Sequence, residues 1–124
     1  MCADSRLQRG AVAERLAAEF LQARGLEVLA RNLRCRAGEL DLVCLHEAVL
    51  VIVEVRQRGC TDFGGAAGSV TPRKQRKIIR AARFFLQQKP RWRARAIRFD
   101  VLALEGIPAG EHRMVWIRDA FRAA

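Results

Sequence analysis

A helical stripe of apolar residues lies early in the sequence. Within residues 11–24 the apolar positions follow the i, i+3, i+4, i+7, i+8 spacing of an amphipathic helix: Ala13, Leu16, Ala17, Phe20 and Leu21. Gly25 follows the stripe, as is common just past the end of a helix. Glu14 lies on the flank, about 90° from the centre of the stripe at 100° per residue. From this flank its carboxylate could reach the edge of a neighbouring sheet.

The next three apolar runs are short and rich in β-branched residues, which predicts strands over residues 26–31, 39–45 and 49–56. The polar segment 31–38 is predicted to turn the chain after the first strand. Only the joint at 46–48 separates the second and third strands, so these two are predicted to pair as an antiparallel hairpin.

Charged residues interrupt both strands of this hairpin. Alternation of side chains predicts that Leu40 and Leu42 share one face of the second strand while Asp41 lies on the other. In the third strand, Glu54 and Arg56 share one face. Asp41 and Glu54 could therefore be neighbours across the hairpin. Buried charges are costly unless they are paired or bind a metal, so these positions need a chemical reason.

Convergence of Glu14, Asp41 and Glu54 would bring three negative charges together, and they would repel one another. A hard divalent cation would resolve the repulsion, since Mg²⁺ takes one or two carboxylates together with water and phosphate oxygens. A simpler interpretation is also open, with Glu14 as an exposed helix charge and Glu54 paired with Arg56 or Arg58.

A second helix is predicted from Pro72 to Gln88. Thr71 suits the N-cap, Pro72 suits the first helical position, and Pro90 stops the helix. Its inward residues are Ile78, Ile79, Ala82, Phe85 and Leu86.

The remaining segments complete an α/β fold. Residues 59–69, rich in glycine and small residues, are predicted as a loop, and 97–104 and 112–118 as strands. The order α-β-β-β-α-β-β predicts one mixed β-sheet flanked by helices, in a single domain over residues 1–124.

The net charge of the chain indicates its class of partner. The chain carries 23 Lys+Arg against 13 Asp+Glu, a net charge of +10, which favours nucleic acid as partner and an anionic membrane surface second. Residues 73–98 hold eleven of the basic residues and no acidic one, whereas a merely solvated helix face would carry balancing glutamates. The residues predicted to bind nucleic acid are Arg73, Lys74, Arg76, Lys77, Arg80 and Arg83.

Cysteines and hydropathy point to the cytoplasm. Cys2, Cys35, Cys44 and Cys60 form no CxxC pair and have no histidine at ligand spacing, so they are predicted to be reduced thiols. No signal peptide is recognisable, and the longest strictly apolar run, Ala48–Val53, is too short to span a bilayer. We therefore expect a cytoplasmic protein without a membrane partner.

Four segments together carry a family resemblance: "GAVAERLAAEFLQARGLEVLARNLRCRAGELDLV", "VIVEVRQR", "FGGAAGSVTPRKQRKIIRAARFFL" and "RFDVLAL". In this order and at these spacings they resemble the bacterial YraN-like family, over roughly residues 9–105. That family looks like a member of the restriction-endonuclease-like PD-(D/E)XK superfamily and is similar to archaeal Holliday junction resolvases. The resemblance implies a restriction-endonuclease-like core.

The resemblance also implies roles for single residues. Asp41 and Glu54 would be the acidic ligands of Mg²⁺ or Mn²⁺, and the backbone carbonyl of Val55 would complete the metal shell. Glu14 and Gln75 match a first-helix glutamate and a helix glutamine near the active site. For Gln75, hydrogen bonding at the helix start is an equally good explanation.

Arg56 departs from the superfamily motif, which has lysine at this position. An arginine stays protonated, so it cannot be a general base, but it can stabilise charge on a phosphate. The resemblance therefore implies a Mg²⁺-dependent endonuclease acting on branched or duplex DNA, or a nucleic-acid-binding module that has lost turnover. A scaffold whose basic face meets an acidic protein or lipid head groups is a third interpretation. Similarity to resolvases, which act as dimers, makes a homodimer plausible.

Overall fold

Helices cover both faces of a mixed sheet in the computed structural model, which describes residues 2–58, 68–106 and 112–123. In chain order the elements are α1 (Cys2–Gln22), β1 (Leu26–Cys35), β2 (Gly38–His46), β3 (Val49–Arg58), α2 (Pro72–Gln88), a 3₁₀ turn (Pro90–Trp92), β4 (Ile97–Gly106) and β5 (His112–Phe121). The predicted fold class and element order are confirmed.

The sheet follows the chain, with strand order β1-β2-β3-β4-β5 among the described residues. Strands β2 and β3 form the predicted antiparallel hairpin, with Cys44 opposite Val51. Strands β3 and β4 are parallel, and α2 lies between them in the chain, as the crossover between parallel neighbours requires. This crossover decides how close the start of α2 lies to the end of β3.

Two apolar clusters fill the space between the sheet and the helices. Helix α1 packs Ala13, Ala17 and Leu21 against one face. Helix α2 packs Ile78 and Phe85, with other apolar residues, against the opposite face. Burial of apolar area on both faces is the main stabilising contribution of such a layered fold.

Strand β1 is longer than the sequence predicts. The polar segment 31–38 is not one long turn, because β1 continues to Cys35 and only residues 36–37 turn the chain. β1 is an edge strand, with exposed polar residues at Arg31, Asn32 and Arg34. Charged side chains are common on edge strands because they discourage pairing with other chains. Here they interrupt the apolar pattern, so hydropathy does not predict the full length of the strand.

The predicted shared face of Leu40 and Leu42 is wrong. Leu40 packs in the cluster beneath α2, whereas Leu42 packs in the cluster beneath α1. Strict alternation fails between them, at Asp41, because the register of β2 with β3 ends at Leu42 opposite Val53. This break in the hairpin ladder is the structural feature that places Asp41.

Other predictions have mixed outcomes. Helix α1 begins at Cys2, before the predicted start at residue 11, whereas α2 has its predicted limits and the predicted Thr71 N-cap. Most of the predicted loop, residues 59–67, lies outside the described residues.

Cys35 and Cys44 are free thiols, and burial raises the pKa of Cys44 to about 12. No helix within the described ranges is long and apolar enough to cross a bilayer.

Candidate functional site

Asp41 and Glu54 lie together where β2 and β3 diverge. The regular pairing of these strands stops one residue short of both acids, at Leu42 and Val53. Beyond that point, Asp41 Oδ2 accepts a hydrogen bond of 2.9 Å from the backbone N–H of Val55. The two carboxyl groups are also close enough to interact, since contact with Asp41 is one cause of a raised pKa of Glu54. Such a contact within this acid pair favours the protonated form of Glu54.

Glu54 is deeply buried, and two cations approach it from different elements. Its side chain is 4% exposed. Arg56 Nη1 of β3 lies 3.8 Å from Glu54 Oε2, and Lys74 Nζ of α2 lies 3.6 Å from the same oxygen. The side chains of Arg56 and Lys74 are 38% and 41% exposed, so both cations lie between the buried carboxyl group and solvent.

The environment of Glu54 favours its protonated form. Burial is the largest cause, and the hydrogen bond and negative charge of Asp41 act in the same direction. Together they raise the pKa of Glu54 from its ordinary value of 4.5 to about 8, although the positive charges of Lys74 and Arg56 oppose the rise. Two carboxyl groups are therefore held together against their mutual repulsion.

We expect Glu54 to make stability fall as pH rises. Between pH 4.5 and about 8, the folded protein keeps a proton that the unfolded chain releases, so the free energy of unfolding decreases with pH and levels off above pH 8. One unit of pKa difference corresponds to about 1.4 kcal/mol, so the loss is on the order of a few kcal/mol. Glu54→Gln should remove it, which urea unfolding of the metal-free protein from pH 5 to 9 measures.

Glu19→Gln is the matched control, because Glu19 is an exposed acid on α1. This variant should follow the pH dependence of the parent. A constant difference in the free energy of unfolding between Glu54→Gln and the parent, across the whole range, would contradict the raised pKa.

Glu14 approaches the acid pair from the helix on the other face of the sheet. It is half-buried on α1 and its side chain hydrogen-bonds Asn32 of β1. Asn32 has a φ of +49°, a left-handed conformation that asparagine adopts more readily than most residues. Burial raises the pKa of Glu14, the hydrogen bond with Asn32 opposes the rise, and the charge of Asp41 adds to it. Glu14 is thus close enough to sense Asp41, as its flank position predicts.

The acid pair offers a donor set that suits a hard divalent cation. Mg²⁺ prefers oxygen ligands and often takes only one or two carboxylates. A bound cation would relieve the repulsion between the ionised forms of Asp41 and Glu54. No three Asp, Glu, His or Cys side chains in the described part of the chain are grouped to hold a metal ion, so Glu14 is not a third ligand in this arrangement. Metal binding by Asp41, Glu54 and the carbonyl of Val55 stays a prediction.

Gln75 hydrogen-bonds residues at the start of α2. Its side-chain amide donates to the carbonyl of Val70 at 3.0 Å, and its backbone N–H donates to the carbonyl of Thr71 at 2.8 Å. Thr71 Oγ1 in turn accepts from the backbone N–H of Lys74 at 3.2 Å. This is the helix-start role that the sequence left open for Gln75. It fixes the helical turn that carries Lys74.

The inward contact of Lys74 is the feature that the sequence analysis missed. Lys74 precedes Ile78, Ala81 and Phe85 by four, seven and eleven residues, the spacing of one helical face, and all three are buried. This spacing could have identified it, because a lysine on the apolar stripe needs a buried partner. Glu54 is that partner.

The other basic residues of α2 form an outward face. All of them are exposed: Arg73, Arg76, Lys77, Arg80 and Arg83. None of them is ion-paired with an acidic group in the described ranges. We call these five residues the basic face. Its positive charge is uncompensated, as the sequence predicts, and it begins on the same helical turn as Lys74.

Asp100 belongs to the scaffold of the sheet. It is 0% exposed and lies opposite Val53, so its side chain is on the α1 face, whereas Glu54 points to the α2 face. Its carboxylate accepts hydrogen bonds from Arg98 and from the indole N–H of Trp116. The backbone N–H of Asp119 completes its set of donors. A buried carboxylate satisfied in this way holds β4 to β5 and has no free role at the site.

Comparison with known proteins places the whole site in one family. The family model that matches residues 13–104 is described as "Uncharacterised protein family UPF0102". The chain belongs to this family. The matched segment includes the acid pair, both adjacent cations and the basic face.

UPF0102 proteins of Pseudomonas species are similar over almost the full length of the chain. One from Pseudomonas putida strain GB-1 is 46% identical over 121 residues, which cover 98% of each chain. One from Pseudomonas entomophila strain L48 is 48% identical over 112 residues, which cover 90% of this chain and 91% of the relative. The YraN-like resemblance seen in the sequence is thereby confirmed, since YraN-like proteins are the UPF0102 family.

Proposed function

We propose that this UPF0102 protein binds nucleic acid and hydrolyses phosphodiester bonds in DNA, with Mg²⁺ or Mn²⁺ held by Asp41 and Glu54. The observation that carries the proposal is the acid pair itself. A carboxyl group that is 4% exposed lies beside a second one, and two partly exposed cations lie 3.6 and 3.8 Å from it. A group with a strongly perturbed pKa beside a charged opening is typical of active sites.

The residues of the site divide the proposed reaction among them. Asp41 and Glu54 hold the metal, with the carbonyl of Val55 as a further oxygen ligand. When bound, the metal polarises the scissile phosphate and makes a neighbouring water more acidic. Arg56 stabilises the negative charge that develops on the phosphate, since an arginine cannot act as the base. The proposal follows the resemblance to the PD-(D/E)XK superfamily, whose motif has lysine where this chain has Arg56, and the proposed location is the cytoplasm.

The basic face would hold the phosphates that flank the scissile one. Its five cations have no acidic partner in the described ranges, and α2 carries them next to the acid pair. Binding of this kind is mainly electrostatic and does not depend on base sequence. Branched or duplex DNA is therefore the proposed substrate class.

Incubation with labelled DNA tests the proposal. Junction, flap, single-stranded and duplex substrates should be compared with and without Mn²⁺, and cleavage should require the metal and leave 5′-phosphate ends. Glu54→Gln is the negative control for contaminating nucleases. Absence of cleavage on every substrate would reject the nuclease and leave the second candidate, a binding module, which the replacement of the motif lysine by Arg56 favours.

Nucleic-acid binding should weaken steeply with salt. If about four to six phosphates are neutralised, the slope of log K against log salt is expected to be roughly −4 to −5. Replacing Arg76, Lys77 and Arg80 together by alanine should flatten this slope by about 2 to 3, because three counterion-releasing contacts are lost. Fluorescence anisotropy at several salt concentrations measures both slopes.

Replacing Arg113, Arg118 and Arg122 together by alanine controls for the loss of net charge. These three exposed arginines lie on or just after β5 and not on α2. Their removal should leave the slope almost unchanged. A flat slope in the parent, or equal flattening by both triple variants, would contradict a specific role for the basic face.

A further inference from the structure

Lys74 differs from every other basic residue of α2. The basic face points to solvent, whereas the amine of Lys74 turns inward and ends 3.6 Å from Glu54 Oε2. Arg56 reaches the same oxygen from β3, at 3.8 Å. Two cations from separate elements therefore converge on one buried carboxyl group.

The contact with Glu54 leaves both cations able to bind a further group. Both separations exceed the usual 2.7–3.2 Å of an N–H···O hydrogen bond. Within the described residues, these two ion pairs therefore leave N–H donors of Lys74 and Arg56 able to bind another acceptor. Glu54 is 4% exposed while the two cations are about ten times more exposed, at 41% and 38%. An anion that approaches the acid pair from solvent meets these two side chains first.

The position of Lys74 is held by the start of the helix. Its backbone N–H donates to Thr71 Oγ1 at 3.2 Å, and Pro72 sets the first helical residue. The first helical turn is also the positive end of the helix dipole, which favours an anion near Lys74. The site is thus a positive opening in front of the buried carboxyl group of Glu54.

We propose that Lys74 is a catalytic residue that contacts the scissile phosphate, and that it shares with Arg56 the role for which the superfamily motif uses one lysine. This inference rests on the proposed nuclease function. A phosphate bound by the metal of the acid pair would lie within reach of both cations, and each would stabilise the charge that builds on its oxygens during hydrolysis. The basic face, in contrast, would only hold the flanking DNA.

The test compares Lys74→Met with Lys89→Met under single-turnover conditions at saturating DNA. Lys74 lies in the first turn of α2 and Lys89 is its C-cap, but Lys89 is exposed, lies outside the basic face and is not paired with Glu54. Lys74→Met should slow cleavage by about 10²–10³, the loss typical for one transition-state donor. Lys89→Met should leave the rate within threefold. Equal cleavage rates in the two variants would overturn the proposal.

A variant that keeps the positive charge at position 74 provides a second test. Lys74→Arg keeps the positive charge and should recover most of the rate that Lys74→Met loses. The double variant Arg56→Ala, Lys74→Met should lose less than the product of the two single losses, because both residues act on one phosphate. A Lys74→Arg variant as slow as Lys74→Met, or strictly multiplicative losses, would overturn the shared electrostatic role.

A binding measurement separates this role from activity. Without metal, a 5′-phosphorylated oligonucleotide should bind the parent about tenfold more tightly than the same strand with a 5′-hydroxyl end, as expected for a charge-assisted contact. Lys74→Met should lose this preference and Lys89→Met should keep it. A preference unchanged in Lys74→Met would overturn the contact. Failure of the parent to cleave any DNA would reject the nuclease and this inference together, whereas cleavage that survives in Lys74→Met would reject this inference alone.

Discussion

Replacing Asp41 by asparagine is expected to abolish both metal binding and DNA cleavage. In the parent, saturating Mg²⁺ or Mn²⁺ should raise the melting temperature by several degrees, because a ligand at 100 times its Kd stabilises the folded state by about 2.7 kcal/mol. Asp41→Asn should show no such rise. Its cleavage rate should fall by more than about 10³, since loss of a metal ligand removes several kcal/mol of transition-state stabilisation.

The asparagine variant should still fold. An amide oxygen can accept the hydrogen bond that Asp41 Oδ2 takes from Val55, and removal of the negative charge relieves repulsion with Glu54. Without metal, the variant should therefore be at least as stable as the parent at pH 8, where about half of Glu54 is ionised in the parent. Thermal melts at pH 8 with and without metal measure both effects.

Glu39→Gln is the control for Asp41→Asn. Glu39 lies two residues earlier on β2, and its side chain is 40% exposed and 3.9 Å from Arg34. This variant should keep the metal response and the cleavage activity of the parent. If the melting temperatures of the parent and of Asp41→Asn rise equally with metal, the cation binds elsewhere.

Arg56→Ala is expected to slow cleavage by about 10²–10³, the cost of one transition-state donor. Arg56→Lys introduces the lysine of the PD-(D/E)XK motif that the sequence resembles, without changing formal charge, and should change the rate by no more than about tenfold. The reason is that Lys74 already places an amine beside Glu54, so a second lysine adds little. Single-turnover rates of the three proteins on one substrate, at matched occupancy of DNA, provide the comparison.

An inactive parent that Arg56→Lys activates would identify the protein as a binding module. If the parent is inactive and Arg56→Lys creates metal-dependent cleavage with unchanged DNA affinity, then Arg56 is what silences the site. Gln57→Ala controls for disturbance of β3, because Gln57 is the next residue and is exposed. Its cleavage rate should equal that of the parent. Cleavage by none of these forms on any DNA substrate would reject both versions of the nuclease.

Local patterns in the sequence were sufficient for the elements and for half of the site. Helix α2 has the limits that Thr71 and Pro72 predict, because capping and proline effects act within one turn. The neighbourhood of Asp41 and Glu54 was predictable for the same reason. A hairpin brings residues together across a short joint, so their contact follows from strand limits that a hydropathy pattern reveals.

The remaining features depend on contacts between distant elements. The opposite faces of Leu40 and Leu42 result from a break in the β2–β3 ladder, which alternation alone does not show. The length of β1 depends on pairing of an edge strand whose own residues are polar. In both cases the partner strand, rather than the local sequence, decides the conformation.

The sequence by itself indicated a basic α/β protein in which Asp41 and Glu54 could be neighbours across a hairpin, and in which the second helix carries many basic residues and no acidic one. Only the tertiary structure decided what surrounds that acid pair. Packing of α1 and α2 on opposite faces brings Glu14 toward one side and Lys74 toward the other, and it buries Glu54 deeply enough to raise its pKa to about 8. Burial and charge proximity depend on distances between elements that are far apart in the chain, and a one-dimensional pattern of residues does not contain those distances.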